Sequence, residues 1–141
     1  MTQATEGEGA RILKWPPDPA HVSENNGNDF AYFRLGEIYL IKAEAELESG
    51  NAAGALALLN TLRARVFSPA KPLLLADRDA ILRERLFELT AEAKRRQDLI
   101  RFGRYTLAWG FKAATDPSRI LMPIPLTQIG ANPLLTQNPG Y

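Results

Sequence analysis

The apolar positions in the middle of the chain recur at helical spacing. Ala55, Leu58, Leu59, Leu62 and Val66 fall at i, i+3, i+4, i+7 and i+11, which is one face of an α-helix and not the alternation of a strand. Asn51, just ahead of this run, has a side chain suited to accept from the free N–H groups of a first helical turn. A second helical pattern precedes it, starting at Asn28 or Asp29, either a plausible N-cap, and running to about Ser49. Between them stands Gly50, which takes a left-handed backbone at no steric cost. So short a link forces the two helices antiparallel, and a helical hairpin is the expectation.

Pro69 and Pro72 end the second helix. Asp77 or Asp79 then caps a third, which sets Leu82, Leu86, Leu89 and Ala93 along one face and either continues or bends through Asp98 to Gly103. A short helix or turn is expected around Tyr105 to Phe111. The flanks read differently. Residues 1–28 form an irregular N-terminal segment with one short strand at Arg11 to Trp15, stopped by Pro16, Pro17 and Pro19. Residues 29–141 form the helical domain, closing with Asp116 to Tyr141, where five prolines preclude independent folding. Ile120, Leu121, Ile124, Leu126, Ile129 and Leu134 in that stretch imply that it wraps along the helices.

Composition narrows the functional classes. A chain of 141 residues, 45% hydrophobic and 23% charged, can bury one core. Seventeen Lys and Arg against sixteen Asp and Glu leave a net charge of +1, no bulk attraction to nucleic acid or an anionic membrane. Without cysteine there is no disulfide, thiolate metal site or thiol nucleophile. No apolar run approaches the roughly 20 residues of a membrane span. Met1 to Ala10 is small, polar and acidic, unlike a secretory signal.

Candidate chemistry is sparse. Glu84, Glu88 and Glu92 recur every fourth residue, but carboxylates on adjacent turns point the same way, whereas glycoside hydrolysis needs them facing each other across a substrate. Arg85, Glu88, Glu92 and Arg95 share one stripe if the helix is continuous, and Asp98 joins them after a bend. These five are expected to form a structural polar network by i, i+3 and i, i+4 pairing. His21 is the sole histidine, so neither a catalytic triad nor a two-histidine metal site fits within the chain. Lys94, Arg95, Arg96, Arg101 and Arg104 form a basic cluster, but without interleaved stacking aromatics it does not read as a nucleic-acid surface. No glycine-rich phosphate loop occurs, and no metal or cofactor is expected. Trp15, Trp109, Tyr32, Tyr39 and Tyr105 are the aromatic candidates for a carbohydrate platform, because a sugar's apolar face packs well on a ring; at helical positions they read as core, which leaves Trp15 and Trp109 as the candidate ligand-binding residues.

Helix, glycine, helix with Gly50, Ala55 and Leu59 resembles the middle of a tetratricopeptide repeat, where small residues let two helices cross closely. The order of further motifs is more specific. Arg34-Leu35-Gly36-Glu37-Ile38-Tyr39-Leu40 leads to Ala43-Glu44-Ala45, Gly50, Ala55 to Asn60 and Arg63-Ala64-Arg65. Glu84-Arg85, Glu88-Leu89, Glu92, Arg95 and Asp98 to Gly103 follow, then Pro123-Ile124-Pro125, Asn132-Pro133 and the ending Gln137-Asn138-Pro139-Gly140-Tyr141. From about Asp29 to Tyr141 the chain resembles the C-terminal region of the SusD/RagB family of outer-membrane nutrient-binding lipoproteins. Ala93 departs from the family's usual glycine and favours a continuous third helix over a sharp turn. Family members are several times longer, so the resemblance implies an excised C-terminal portion or a truncated homologue.

The implied fold is mainly α, a tetratricopeptide-like hairpin plus a further helix, with irregular proline-rich ends. The implied function is non-catalytic capture of oligosaccharides, or in some members peptides, on the cell surface. Delivery would be to a TonB-dependent, SusC-like outer-membrane transporter, and membrane attachment would be through a lipid anchor absent from this sequence. The resemblance carries over no binding residue. The alternative from the residues alone is a small helical-repeat adaptor that binds another protein and no glycan.

Overall fold

The structure, a computed structural model, describes residues 5, 7, 12–16, 18–23 and 25–141. Among these residues the fold is helical and contains no strand. The elements are α1 (Leu35–Glu48), α2 (Ala52–Val66), α3 (Arg78–Glu88), α4 (Arg95–Arg101), a single 3-10 turn (Pro117–Ile120) and α5 (Leu126–Ala131).

The hairpin forms as its turn chemistry dictates. Gly50 has φ of 88°, and the N–H groups of Gly50 and Asn51 reach back to the Leu47 and Glu46 carbonyls at 3.0 and 2.8 Å. These two bonds satisfy carbonyls that the end of α1 leaves free. Asn51 Oδ1 accepts from Gly54 N at 3.0 Å and so caps α2. Leu40 and Ala43 of α1 then meet Ala55 and Leu59 of α2, joined by Ile81 and Leu89 at the two ends of α3, in a core no more than 3% exposed. Burying a leucine or isoleucine fully is worth about 1.5–3 kcal/mol, so Leu40, Leu59 and Ile81 carry much of the hairpin's stability. Val66, at the open end of the hairpin, remains 62% exposed despite its place in the apolar stripe.

Helix α1 begins at Leu35, not at Asn28 or Asp29. Arg34 is extended at φ −144°, and Lys94 Nζ donates to the Tyr32 carbonyl at 3.0 Å. That interaction, with the pull of Glu88 and Glu92 on the Arg34 side chain, holds Tyr32 to Arg34 out of the helix. Of the two possible caps for α3 it is Asp77, whose Oδ1 accepts from Ala80 N at 2.6 Å. Asp79 instead pairs with Arg104 at 3.0 Å.

The third helix is not continuous. It stops at Glu88, and the chain turns sharply before α4, with Ala91 and Ala93 both left-handed at φ 64° and 58°. The reversal brings Glu92 to 2% exposure, where two cations meet it, and this outweighs the steric cost of the alanines. For an L-residue the left-handed region costs roughly 1–2 kcal/mol, partly offset by the extra unfolded-chain entropy of a glycine, about 0.4–1 kcal/mol. Ala93→Gly should therefore stabilise the chain by about 0.5–1 kcal/mol in chemical denaturation. A loss of stability would show that the turn is relaxed as it stands.

The flanks also differ from expectation. Arg11 lies outside the described residues, and Ile12 to Trp15 form no strand; Trp15 has φ of 63°. The C-terminal stretch does not bury its apolar residues along the helices. Leu126 and Leu134 are 81% and 90% exposed. It closes on itself through the last five residues. Gln137 exchanges two hydrogen bonds with the Ile124 backbone, Nε2 to the carbonyl at 2.9 Å and Oε1 from the N–H at 2.8 Å. Asn138 Nδ2 donates to the Met122 carbonyl at 2.7 Å and Tyr141 Oη to the Leu121 carbonyl at 3.0 Å. Arg96 ties the segment to α4 through the Ile120 carbonyl at 3.0 Å. Proline leaves carbonyls in this stretch without ladder partners, and side-chain amides supply donors for them.

Candidate binding site

The break after α3 divides the charged residues into two clusters, the first buried and the second only partly so. In the first, Arg85 Nε lies 2.8 Å from Asp98 Oδ1, and Arg85 Nη2 lies 3.6 Å from Glu37 Oε1. These residues are 5%, 2% and 5% exposed. In the second, Arg34 Nε contacts both oxygens of Glu92 at 2.9 and 2.7 Å, and its Nη groups meet Glu88. Lys14 also pairs with Glu92 and donates to the Glu88 carbonyl at 2.8 Å. Arg65 Nη2 reaches both Glu88 oxygens at 2.7 and 2.8 Å.

So Arg85 meets Asp98, and Glu88 and Glu92 share Arg34, but the mutual pairing expected along one continuous helix is not formed. Arg95 Nη1 instead donates to the Leu82 carbonyl at 2.9 Å, and burial lowers its pKa. Burial by itself would raise the carboxyl pKa of Glu88 and Glu92. The hydrogen bonds from Arg34, with Arg65 or Lys14, outweigh it and hold both below their ordinary value.

Beside the first cluster opens a cleft of about 520 Å³, between the outer face of α1 and the start of α4. Three carboxylates line it, Glu37, Glu44 and Glu48, with three cations, Arg85, Lys94 and Arg101. Arg101 binds Glu44 through two parallel bonds of 2.6 and 2.9 Å. Lys94 Nζ lies 3.3 Å from Glu37 Oε2. The Arg101 bond keeps the Glu44 carboxyl below its ordinary range against burial, so Glu44 serves as a charged acceptor and is unsuited to donate a proton at neutral pH. At the rim, Tyr32 and Phe33 meet edge to face, centroids 4.8 Å apart, and Lys94 Nζ sits 4.8 and 4.9 Å from the two rings. Ile41 and Ala45 of α1 supply the apolar wall.

The two tryptophans stand elsewhere. Trp15 packs against Phe30 with centroids 5.6 Å apart and is 37% exposed. Trp109 is 51% exposed and lines a different, mostly apolar cleft of about 470 Å³ with Leu82, Leu86, Leu99 and Leu107. Among the described residues no group of three or more His, Cys, Asp or Glu is placed to hold a metal ion. No helix there is long and apolar enough to cross a membrane. From the sequence, Tyr32 counts among the aromatic candidates but falls inside an expected helix, where aromatic residues are usually core, and Lys94 reads only as part of a basic cluster, while Phe33 and Glu37 carry no signal of a site.

Comparison with known proteins gives concordant results. The sequence pattern of the SusD family matches residues 3–117. The chain is 33% identical over 136 residues to SusD-like protein P25 of Formosa agariphila, covering 83% of this chain and 26% of that protein. It is 31% identical over 158 residues to the starch-binding protein SusD of Bacteroides thetaiotaomicron, covering 100% of this chain and 28% of that protein. A crystal structure of a SusD-like protein from Bacteroides fragilis superposes with a TM-score of 0.66 at 29% identity, over 79% of this chain and 26% of that one. The chain thus spans little more than a quarter of the length of the relatives it matches.

Proposed function

This chain belongs to the SusD family, and from that premise we propose that it is the helical part of a protein that captures oligosaccharide-type nutrients at the outer surface of the cell without altering them. The observation that carries the reading is the match to a starch-binding protein across the whole of this chain. Glu44, held in its charged form by Arg101, is unsuited to the general-acid role that a glycosidase needs. In this proposal a TonB-dependent, SusC-like transporter receives the ligand, and a lipid anchor on the parent protein holds it at the outer membrane. Residues 29–141 act as one helical domain, to which Lys14 ties the preceding segment by its contacts with Glu88 and Glu92.

Calorimetry of the full-length protein against panels of oligosaccharides and peptides tests this, together with co-purification of the transporter. Saturable glycan binding with the ligand recovered intact is the expected result. Release of shortened sugars, or a protein that binds neither glycan nor transporter, would overturn it.

A further inference from the structure

We propose that the cleft between α1 and α4 is a subsite for a neutral sugar residue, with Tyr32 and Phe33 as its stacking wall and the Glu44–Arg101 pair and Gln97 as its hydroxyl-binding edge. The inference rests on the glycan-binding reading above and adds a location and a set of roles to it.

Four observations point to this ligand chemistry. First, Tyr32 and Phe33 are 68% and 65% exposed although they flank a concave surface, so large apolar ring area faces solvent at a site already shaped to receive a ligand. Second, the rings are restrained by their neighbours. They pack edge to face, Lys94 sits over both, and the Lys94 bond to the Tyr32 carbonyl holds the backbone beneath them. A preorganised stacking surface loses little entropy on binding. Third, the lining charges cancel, three against three, and the cations are already matched by carboxylates of the cleft or its neighbours. An anion would meet three carboxylates and a cation three positive groups, so a net-neutral ligand is favoured. Fourth, the polar edge has unspent hydrogen-bonding capacity of both kinds. Each Glu44 oxygen has a further lone pair, Arg101 has further N–H groups, and the Gln97 amide is solvent-exposed. Adjacent hydroxyls of a sugar each donate and accept, and an aligned carboxylate–guanidinium pair offers both partners at a fixed spacing.

One subsite of this size, open to solvent, implies affinity in the millimolar range. The test is to titrate the isotope-labelled 141-residue chain with maltohexaose and with cello-, xylo- and laminari-oligosaccharides, following amide signals by NMR. At least one sugar should shift Tyr32, Phe33, Glu44 and Gln97 in a saturable manner. Tyr32→Ala, at an exposed position, should weaken that binding about five-fold or more while leaving the rest of the spectrum folded. Shifts centred on the Trp109 cleft, or binding indifferent to Tyr32→Ala, would overturn the subsite and leave the glycan reading standing. Saturation of the cleft by a tripeptide and by no sugar would overturn both. A folded chain that responds to none of the sugars would overturn the subsite, and calorimetry of the full-length protein would then decide the wider reading separately.

Discussion

Replacing Asp98 with alanine should cost the fold about 3–5 kcal/mol, the usual penalty for removing one member of a buried ion pair. Asp98 is 2% exposed and its partner Arg85 5%, so neither can turn to water. Arg85 is already under-supplied, since its Nε and Nη1 are buried and neither makes a hydrogen bond among the described residues, so the Asp98 contact acts as an ion pair. With Asp98 gone, the nearest remaining carboxylate contact of Arg85 is Glu37 at 3.6 Å, too long for a strong hydrogen bond. Chemical denaturation should show a lower midpoint at an unchanged slope. The double variant Arg85→Met with Asp98→Leu separates charge from packing, because replacing both ions by apolar groups of similar volume is often neutral. It should recover most of the lost stability. A single-variant cost below about 1 kcal/mol would mean that Arg85 escapes to solvent and that the pair is a surface feature.

The second large effect concerns Arg34, and it is pH-dependent. Arg34 bridges Glu88 and Glu92, and Glu92 is almost fully enclosed. Lys14 and Arg65 remain after Arg34→Ala, so the cost at neutral pH should be about 2–3 kcal/mol, at or just below the usual range for a broken buried pair. Both glutamates have folded-state pKa values below the ordinary 4.5. Their contribution is therefore complete above about pH 4.5 and is lost as pH falls through the depressed values, because the unfolded chain takes up protons first. Removing Arg34 lets burial push both carboxyls back upward. Wild-type and variant stabilities should converge below pH 4.5, measured as denaturation midpoints across pH. A penalty that stays constant into acid would assign the effect to lost packing.

The hairpin was legible because each of its determinants is local. Gly50, Asn51 and the stripe through Leu59 act within a few residues of themselves, and period and turn chemistry suffice to place them. The start of α1 is not legible, since what excludes Tyr32 to Arg34 from the helix is Lys94, Glu88 and Glu92, more than fifty residues away. The turn at Ala91 and Ala93 was misread for the same reason. Local propensity favours helix there, and only the distant cations that receive Glu92 make the reversal favourable. The cleft depends on both long-range effects at once. Tyr32 and Phe33 face it because α1 starts late, and Lys94 and Arg101 reach it because α3 stops early.

The self-closed C-terminal stretch has a kinetic consequence. Gln137, Asn138 and Tyr141 hold residues 117–141 by a few hydrogen bonds to carbonyl and amide groups, with little apolar area beneath them. Opening that clasp exposes no core, so it requires far less free energy than unfolding α1 to α3. Amide hydrogens there should exchange with deuterium well before those of Leu40 or Leu59. A protease should find the exposed Leu134-Leu135 bond first, trimming the tail from a hairpin that is still intact.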